Sequence, residues 1–228
     1  MNIAVIPARG GSERIPFKNI KQFCGKPMIA YPIETAFSSK YIDKVVVSTD
    51  NDEIEKISLE YGAHVPFKRP SELSDNFTTT VPVISHAIKM LSELGWEIDS
   101  VCCIYPCTPL LDYRVIEYVY EKFISQDDID YAYPVLHYPH PVQRAMRMSD
   151  AGKMEFIYID YELTRTQDLE ETFHDAGQFY WGTADAWSNE KMMHTDGIGV
   201  NIKSWEVVDI DTEEDWIKAE MLKNLQLI

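Results

Sequence analysis

The sequence predicts an α/β fold in which a mostly parallel sheet lies between two helical layers. Three observations carry that expectation. Short, nearly all-apolar runs recur along the chain, as strands buried on both faces require. Between them lie segments whose apolar residues are spaced by three and four, the pattern of one helix face. Hydrophobic residues make up 45% of the 228 and charged residues 25%, enough for a full core and far from a disordered composition. At about 150 residues per domain, this length suggests one domain over 1–228 with a modest insertion.

Asn2 to Ala8 opens as the first buried strand, and Lys44 to Thr49, Ser100 to Tyr105 and Tyr131 to Leu136 repeat its pattern. Asp52 to Tyr61 is amphipathic, with Asp50 or Asn51 available as its cap. Val81, Ile84, Ile88, Leu91 and Leu94 share one helix face that Gly95 ends, and Val115, Val119 and Phe123 share another. Such alternation implies helices on both faces of a parallel sheet. The pattern stops near Leu136. Residues 137–175 are rich in Tyr, Pro, His and Arg without a clear period, and read as an excursion from the sheet, with a dimerisation arm as one reading of it. Gln178 to Gly182 and Glu206 to Ile210 read as the last strands. Asp211 to Leu225 reads as a closing helix, with Asp211 and Glu214 placed as a capping box.

The loop after the first strand runs Ala8-Arg9-Gly10-Gly11-Ser12-Glu13-Arg14-Ile15-Pro16-Phe17-Lys18-Asn19. Two glycines let backbone N–H groups turn toward an anion, and Ser12 adds a hydroxyl. Arg9, Arg14 and Lys18 bring three cations into ten residues of a chain with 21 basic and 37 acidic residues and a net charge of −16. A strand's C-terminal end is where open α/β sheets bind ligands, so the loop reads as a phosphate site rather than a solvated turn. It is neither a Walker A loop nor a GxGxxG turn. The acidic surface disfavours nucleic acid and anionic membranes as partners. No apolar run is long enough to span a bilayer, and no signal peptide precedes Pro7 and Arg9, so a cytoplasmic chain is expected. Four cysteines, two adjacent at Cys102-Cys103, fit buried thiols rather than a disulfide framework.

This loop resembles the N-terminal signature of the sugar nucleotidyltransferases, specifically the acylneuraminate cytidylyltransferases. The likeness continues at Cys24-Gly25-Lys26-Pro27-Met28, Val47-Ser48-Thr49-Asp50, Arg69-Pro70-Ser71-Glu72-Leu73 and Asp209-Ile210-Asp211-Thr212. Arg165-Thr166-Gln167-Asp168-Leu169 with His174-Asp175-Ala176-Gly177 resembles the branch that handles pseudaminic acid. The resemblance implies a three-layer α/β/α, Rossmann-like nucleotide-diphospho-sugar transferase fold. It also implies transfer of CMP from CTP to an acidic nine-carbon sugar, with Mg²⁺ and in a homodimer. Pseudaminic acid is the first choice of sugar and N-acetylneuraminic acid the second.

By the same resemblance, Ala8, Arg9, Gly10, Gly11, Ser12, Arg14, Lys18, Asn19, Arg69 and Asp75 hold the nucleotide. Asp209 and Asp211 hold the metal, and Arg9, Lys18 and Asp211 carry catalytic work. From the residues alone, Asp211 reads equally as a helix cap, and Asp50 as the cap of the second helix. Tyr105, Arg165, Gln167, Asp168, His174, Asp175 and Gln178 are placed at the sugar. Thr108 is placed in the same cleft, Arg144 across a dimer or in packing, and His174 as a base or a structural partner of Asp175. Glu13 stands where the family pattern carries lysine, so either Arg14 or Lys18 replaces it at the phosphates or Glu13 points away. A catalytically silent nucleotide sensor and a metal-dependent phosphatase are the readings from other classes.

Overall fold

The computed structural model describes residues 1–12, 14–194 and 197–226, so Glu13 and the expectation attached to it lie outside the described residues. Strand β1 (Asn2–Pro7) leads through a hairpin of β2 (Gln22–Phe23) and β3 (Lys26–Pro27) into helix α1 (Ala30–Ser38). Strand β4 (Lys44–Ser48), helix α2 (Asp52–Glu60), helix α3 (Thr80–Glu93), strand β5 (Ser100–Ile104), helix α4 (Tyr113–Ile124) and strand β6 (Tyr131–His137) follow. The excursion holds its own two-stranded sheet, β7 (Met146–Met148) with β8 (Met154–Phe156). The chain returns through β9 (Phe173–Asp175), β10 (Phe179–Thr183), α5 (Ala184–Ser188) and β11 (Gly197–Asn201), and α6 (Glu213–Gln226) closes it.

The main sheet runs β11-β6-β10-β5-β1-β4, with β9 also on β6. β1 is parallel to β4 and β5, and β11 to β6. β10 lies antiparallel between β5 and β6, and β9 is antiparallel to β6. The sheet is therefore mixed around a parallel core, a refinement of the mostly parallel expectation.

Strand alternation sends neighbouring residues to opposite layers. Ala4, Ile6, Cys102, Ile104, Phe179 and Trp181 pack with Ile33, Ile54, Ile116 and Val119 of α1, α2 and α4. Ile3, Val5, Val101, Cys103 and Tyr180 pack with Ile84, Ala87, Ile88 and Leu91 of α3 and with Trp187 of α5. Burying each such Ile, Leu or Val contributes about 1.5–3 kcal/mol. Cys102 and Cys103 thus face different cores, and all four thiols are free; Cys24 is exposed, against the expectation of burial throughout. A third cluster, Ile15, Phe23, Met28, Tyr31, Ile210, Trp216 and Ala219, ties the phosphate loop to the C-terminal helix.

Pro134 explains why β9 and β10 are two strands. It has no N–H for a ladder, and opposite it the returning chain bulges at Ala176–Gln178. The Ala176 N–H still reaches the Pro134 carbonyl at 3.1 Å, while Gly177 takes φ 64°, a left-handed turn that glycine adopts without a side-chain clash.

Three sequence expectations change. Glu206 to Ile210 is not a strand: Ser204–Glu206 is a 3₁₀ turn and the chain stays irregular to Thr212. The edge strand is instead β11, whose two glycines in five residues disguise it. The closing helix is capped by Thr212 and Asp215, not by Asp211 and Glu214. The Asp215 carboxylate accepts the Thr212 N–H at 2.9 Å, and the Thr212 hydroxyl accepts the Asp215 N–H at 3.2 Å.

Candidate active site

The C-terminal ends of β1 and β5 meet the segment from Arg69 to the start of α3 and the segment before α6 around one cleft of about 360 Å³. Arg9, Ser12, Arg14, Lys18, Asn19, Arg69, Asp75, Tyr105, Gly177 and Asp209 line it. Most of the predicted nucleotide residues are therefore together.

Local contacts shape the loop. Buried Ala8 donates its N–H to Ser48 O at 2.9 Å, and Gly10 donates to Asp50 Oδ1 at 2.9 Å. A Cβ on Gly10 would meet Asn51 Nδ2 at 2.9 Å, so this position has no room for a side chain; Gly11 has open space. Asn51 caps α2 through Oδ1, which frees Asp50 from that role. Asn19 is only 5% exposed: its amide donates to Arg9 O at 2.9 Å and its oxygen accepts from the Cys107 thiol at 3.2 Å. The Arg9 guanidinium donates to Asp75 O, and the Asp75 carboxylate closes its own turn by accepting the N–H groups of Phe77 and Thr78. Hydrogen bonds from Thr78 lead in holding the Asp75 carboxyl below its ordinary value.

Arg69 is 4% exposed, and its Nε and Nη2 have no hydrogen-bond partner. Asp50 stands 3.9 Å away, and burial lowers the guanidinium's affinity for its proton. A buried cation aimed into a cleft with unmet donors costs stability unless something fills the cleft. Thr79 and Thr80 at the start of α3 also line the wall, and no side chain caps that helix. The Thr78-Thr79-Thr80 run was the sequence signal for this wall; the helical period, counted from Val81, passed over it.

Asp211 does not itself line the cleft but is the shared partner of two cations that do. Arg14 pairs with it at 2.7 Å and Lys18 at 3.6 Å, while Lys18 Nζ also donates to Ile210 O at 2.6 Å. Asp209 is exposed, and partial desolvation first, then the charge of Asp211, raises its carboxyl above the usual value. Two acids and two cations thus meet at one end of the cleft.

Residues 3–191 match the family described as cytidylyltransferase. The chain belongs to that family. As a cytidylyltransferase it is a nucleotidyltransferase, and its relatives agree. It is 39% identical over 222 residues to a pseudaminic acid cytidylyltransferase of Campylobacter jejuni subsp. jejuni, covering 97% of this chain and 95% of the relative. It is 28% identical to a CMP-N,N'-diacetyllegionaminic acid synthase of Legionella pneumophila subsp. pneumophila, covering 98% and 96%. In fold it is similar to a CMP:2-keto-3-deoxy-manno-octonic acid synthetase complexed with CTP, with a TM-score of 0.72 at 17% identity over 99% of both chains.

The predicted sugar residues of this cytidylyltransferase divide into three groups. Tyr105 lies in the cleft, its hydroxyl 2.8 Å from Thr80 Oγ1, and buried Thr108 donates to Tyr105 O at 2.9 Å. Gln178 is buried and donates to Glu206 O at 2.9 Å, while His174 and Asp175 line a second cavity beside the cleft. His174 Nδ1 is 2.9 Å from Asp175 O, and its ring packs on Tyr138. Arg165, Gln167 and Asp168 do not line the cleft. They are exposed on the excursion, with Arg165 donating to Asp168 at 2.7 Å, and Arg144 there donates to Thr164 O.

Asp209 also makes a stability prediction. A carboxyl raised on folding contributes stability below its unfolded pKa, and that contribution is lost as pH rises through its folded value. Asp209→Asn should raise the Tm at neutral pH and leave it unchanged once the native Asp209 is protonated. Thermal melts across that range test it; a gain independent of pH would remove Asp209's charge as the cause.

Proposed function

We propose that the chain transfers CMP from CTP to the anomeric hydroxyl of pseudaminic acid, releasing pyrophosphate. The carrying observation is 39% identity, across 97% of the chain, to a pseudaminic acid cytidylyltransferase. The cleft supports it, because three cations of a chain with net charge −16 converge where a triphosphate would lie.

Nucleotidyl transfer needs an in-line attacker, charge neutralisation at the α-phosphate and a stabilised leaving group. The Gly11 N–H, the Ser12 hydroxyl, Arg9, Arg14 and Lys18 serve the phosphates, while Gly10, whose N–H is held by Asp50, shapes the turn. Ala8 and Arg69 read the cytosine, Asn19 reaches the ribose, and Asp75 closes the rim. Asp209 and Asp211 fit Mg²⁺, since both are hard oxygen donors two residues apart beside the cleft's cationic end. Mg²⁺ takes one or two carboxylates together with phosphate oxygens and water. Bound there, Mg²⁺ would supply charge stabilisation at the transferring phosphoryl group.

The acceptor sugar lies against Tyr105 and Gly177. Arg165, Gln167 and Asp168 reach it from a second copy, because the excursion that carries them also exposes Met148, Met154, Ile159 and Leu163. An exposed apolar set of this kind suits a homodimer contact. The described helices include none long and apolar enough to cross a membrane.

The test is a panel of nonulosonic acids incubated with CTP and Mg²⁺ and read by mass. The expected main product is CMP-pseudaminic acid. A larger yield of CMP-N-acetylneuraminic acid would reassign the sugar, and no CMP-sugar from any acid would favour the silent sensor.

A further inference from the structure

Asn19 is held at both ends of its amide, and the two holds decide which end faces which way. Its Nδ2 donates to Arg9 O at 2.9 Å, and its Oδ1 accepts the Cys107 S–H at 3.2 Å. A backbone carbonyl only accepts, so the amide end beside Arg9 is the NH₂, and the oxygen is turned toward Cys107. There it needs a donor, and the thiol supplies one. Burial pushes that thiol up to about 12, so it keeps its proton at neutral pH. The Asn19 backbone is fixed as well, its carbonyl accepting the Ile29 N–H at 2.8 Å. Cys107 arrives from the segment after β5, 88 residues along the chain, and packs against the cluster of Ile15, Met28 and Ile210. Next to it the Thr108 hydroxyl anchors the turn on Tyr105 O at 2.9 Å. The thiol is therefore a strut between the loop after β1 and the loop after β5, and Asn19 and Cys107 both line the cleft. One N–H and one lone pair of the Asn19 amide are left over. That pair matches a hydroxyl, which can donate and accept at once; a C–H group in the same place does neither.

We propose that Cys107 is a positioning residue that sets the Asn19 amide to hold a ribose hydroxyl, and so makes the cleft select a ribonucleotide over the deoxynucleotide lacking that hydroxyl. The inference rests on the reading above in which Asn19 reaches the ribose. With the thiol in place, the amide is pinned at both ends and meets the hydroxyl in one orientation. Without it, Oδ1 keeps an unmet lone pair in a buried position, and only the Arg9 carbonyl restrains the amide's rotation. The hydroxyl then loses a fixed counterpart. A nucleotide with hydrogen at that carbon has no such contact to lose, so its affinity is indifferent to the thiol.

Calorimetric titration of the full chain with CTP, 2′-deoxy-CTP and 3′-deoxy-CTP, without acceptor sugar, tests this and shows which hydroxyl is held. The wild type should bind CTP about tenfold more tightly than one of the two deoxynucleotides, the worth of one neutral hydrogen bond. Cys107→Ala should bring CTP down to that deoxynucleotide's affinity, a loss of about tenfold, while the deoxynucleotide itself changes by less than about twofold. Cys107→Ser, which keeps a donor at the same position, should retain most of the discrimination. Alanine and wild-type proteins with the same ratio would overturn the proposal, as would a serine variant no better than alanine. Equal weakening of all three nucleotides together with a lowered Tm would also overturn it, since that marks a packing role. A wild type that binds the three alike removes Asn19 from the ribose and the proposal with it. Because no turnover is read, the outcome is separate from the transferase reading: failure of every nonulosonic acid with the wild type sinks that reading and leaves these ratios to be judged by themselves.

Discussion

Asp211→Ala is expected to lower kcat by about 10³-fold or more while the chain keeps its fold. A carboxylate that holds a metal at the transferring phosphoryl group is worth several kcal/mol in the transition state, and about 4 kcal/mol corresponds to that factor. The competing role, a helix cap, is worth only about 1 kcal/mol, and Thr212 with Asp215 already fills it. Removing Asp211 also frees Arg14 and Lys18 from their shared partner. Two uncompensated cations should then hold CTP at least as tightly as before when Mg²⁺ is absent. Turnover by mass and CTP binding by calorimetry with a chelator separate the effects. Residual activity near wild type with a lowered Tm would return Asp211 to a structural role.

The second large effect is at Arg69. Arg69→Leu should raise the KM for CTP about 100-fold and erase the preference for CTP over UTP. A site built to hydrogen-bond one base loses discrimination when its donor is removed, because the rejecting term is the unpaired polar group. The same change should leave the Tm unchanged or raised. In the empty protein the guanidinium is buried with two atoms unmet and its acidic neighbour 3.9 Å away, so replacing it with a hydrocarbon removes a desolvation cost. Competitive turnover of CTP and UTP, with a melt of the same sample, reads both. A large Tm loss with intact selectivity would make Arg69 a structural ion-pair partner.

Strands β1, β4, β5 and β6 were legible because burial on both faces leaves an apolar run that few other elements produce. That the loop after β1 lines a cleft was legible because cations stand out in an acidic chain, and because two glycines after a strand have few uses. β11 was not legible, since Gly197 and Gly199 give it the composition of a loop. Val207, Val208 and Ile210 misled in the opposite sense: they are apolar because they pack into two small clusters beside the sheet rather than because they pair as a strand. Asp211 and Thr212 are adjacent candidate caps, and only the geometry of Asp215 decides between them. Asp50 and Asn51 were both available as the cap of α2, and the geometry gives the place to Asn51. The contact of Asn19 with Cys107 joins two distant segments and leaves no local trace in sequence.

The reversed strand β10 also sets a timetable for the ribosome. β4, β1 and β5 can assemble as soon as residue 104 has emerged, but the next place in the sheet belongs to β10, not to β6. β6 is made earlier and must wait one strand-width away, about 4.8 Å, until its neighbour arrives. The edge of β5 therefore stays open while about eighty more residues are synthesised, roughly 4–16 s at about 5–20 residues per second. That edge is a run of apolar residues with unpaired backbone groups, the kind of surface on which nascent chains pair wrongly. The excursion, whose synthesis fills about half of that interval, lengthens the exposure, so the segment that presents Arg165 also delays closure of the sheet beneath the cleft.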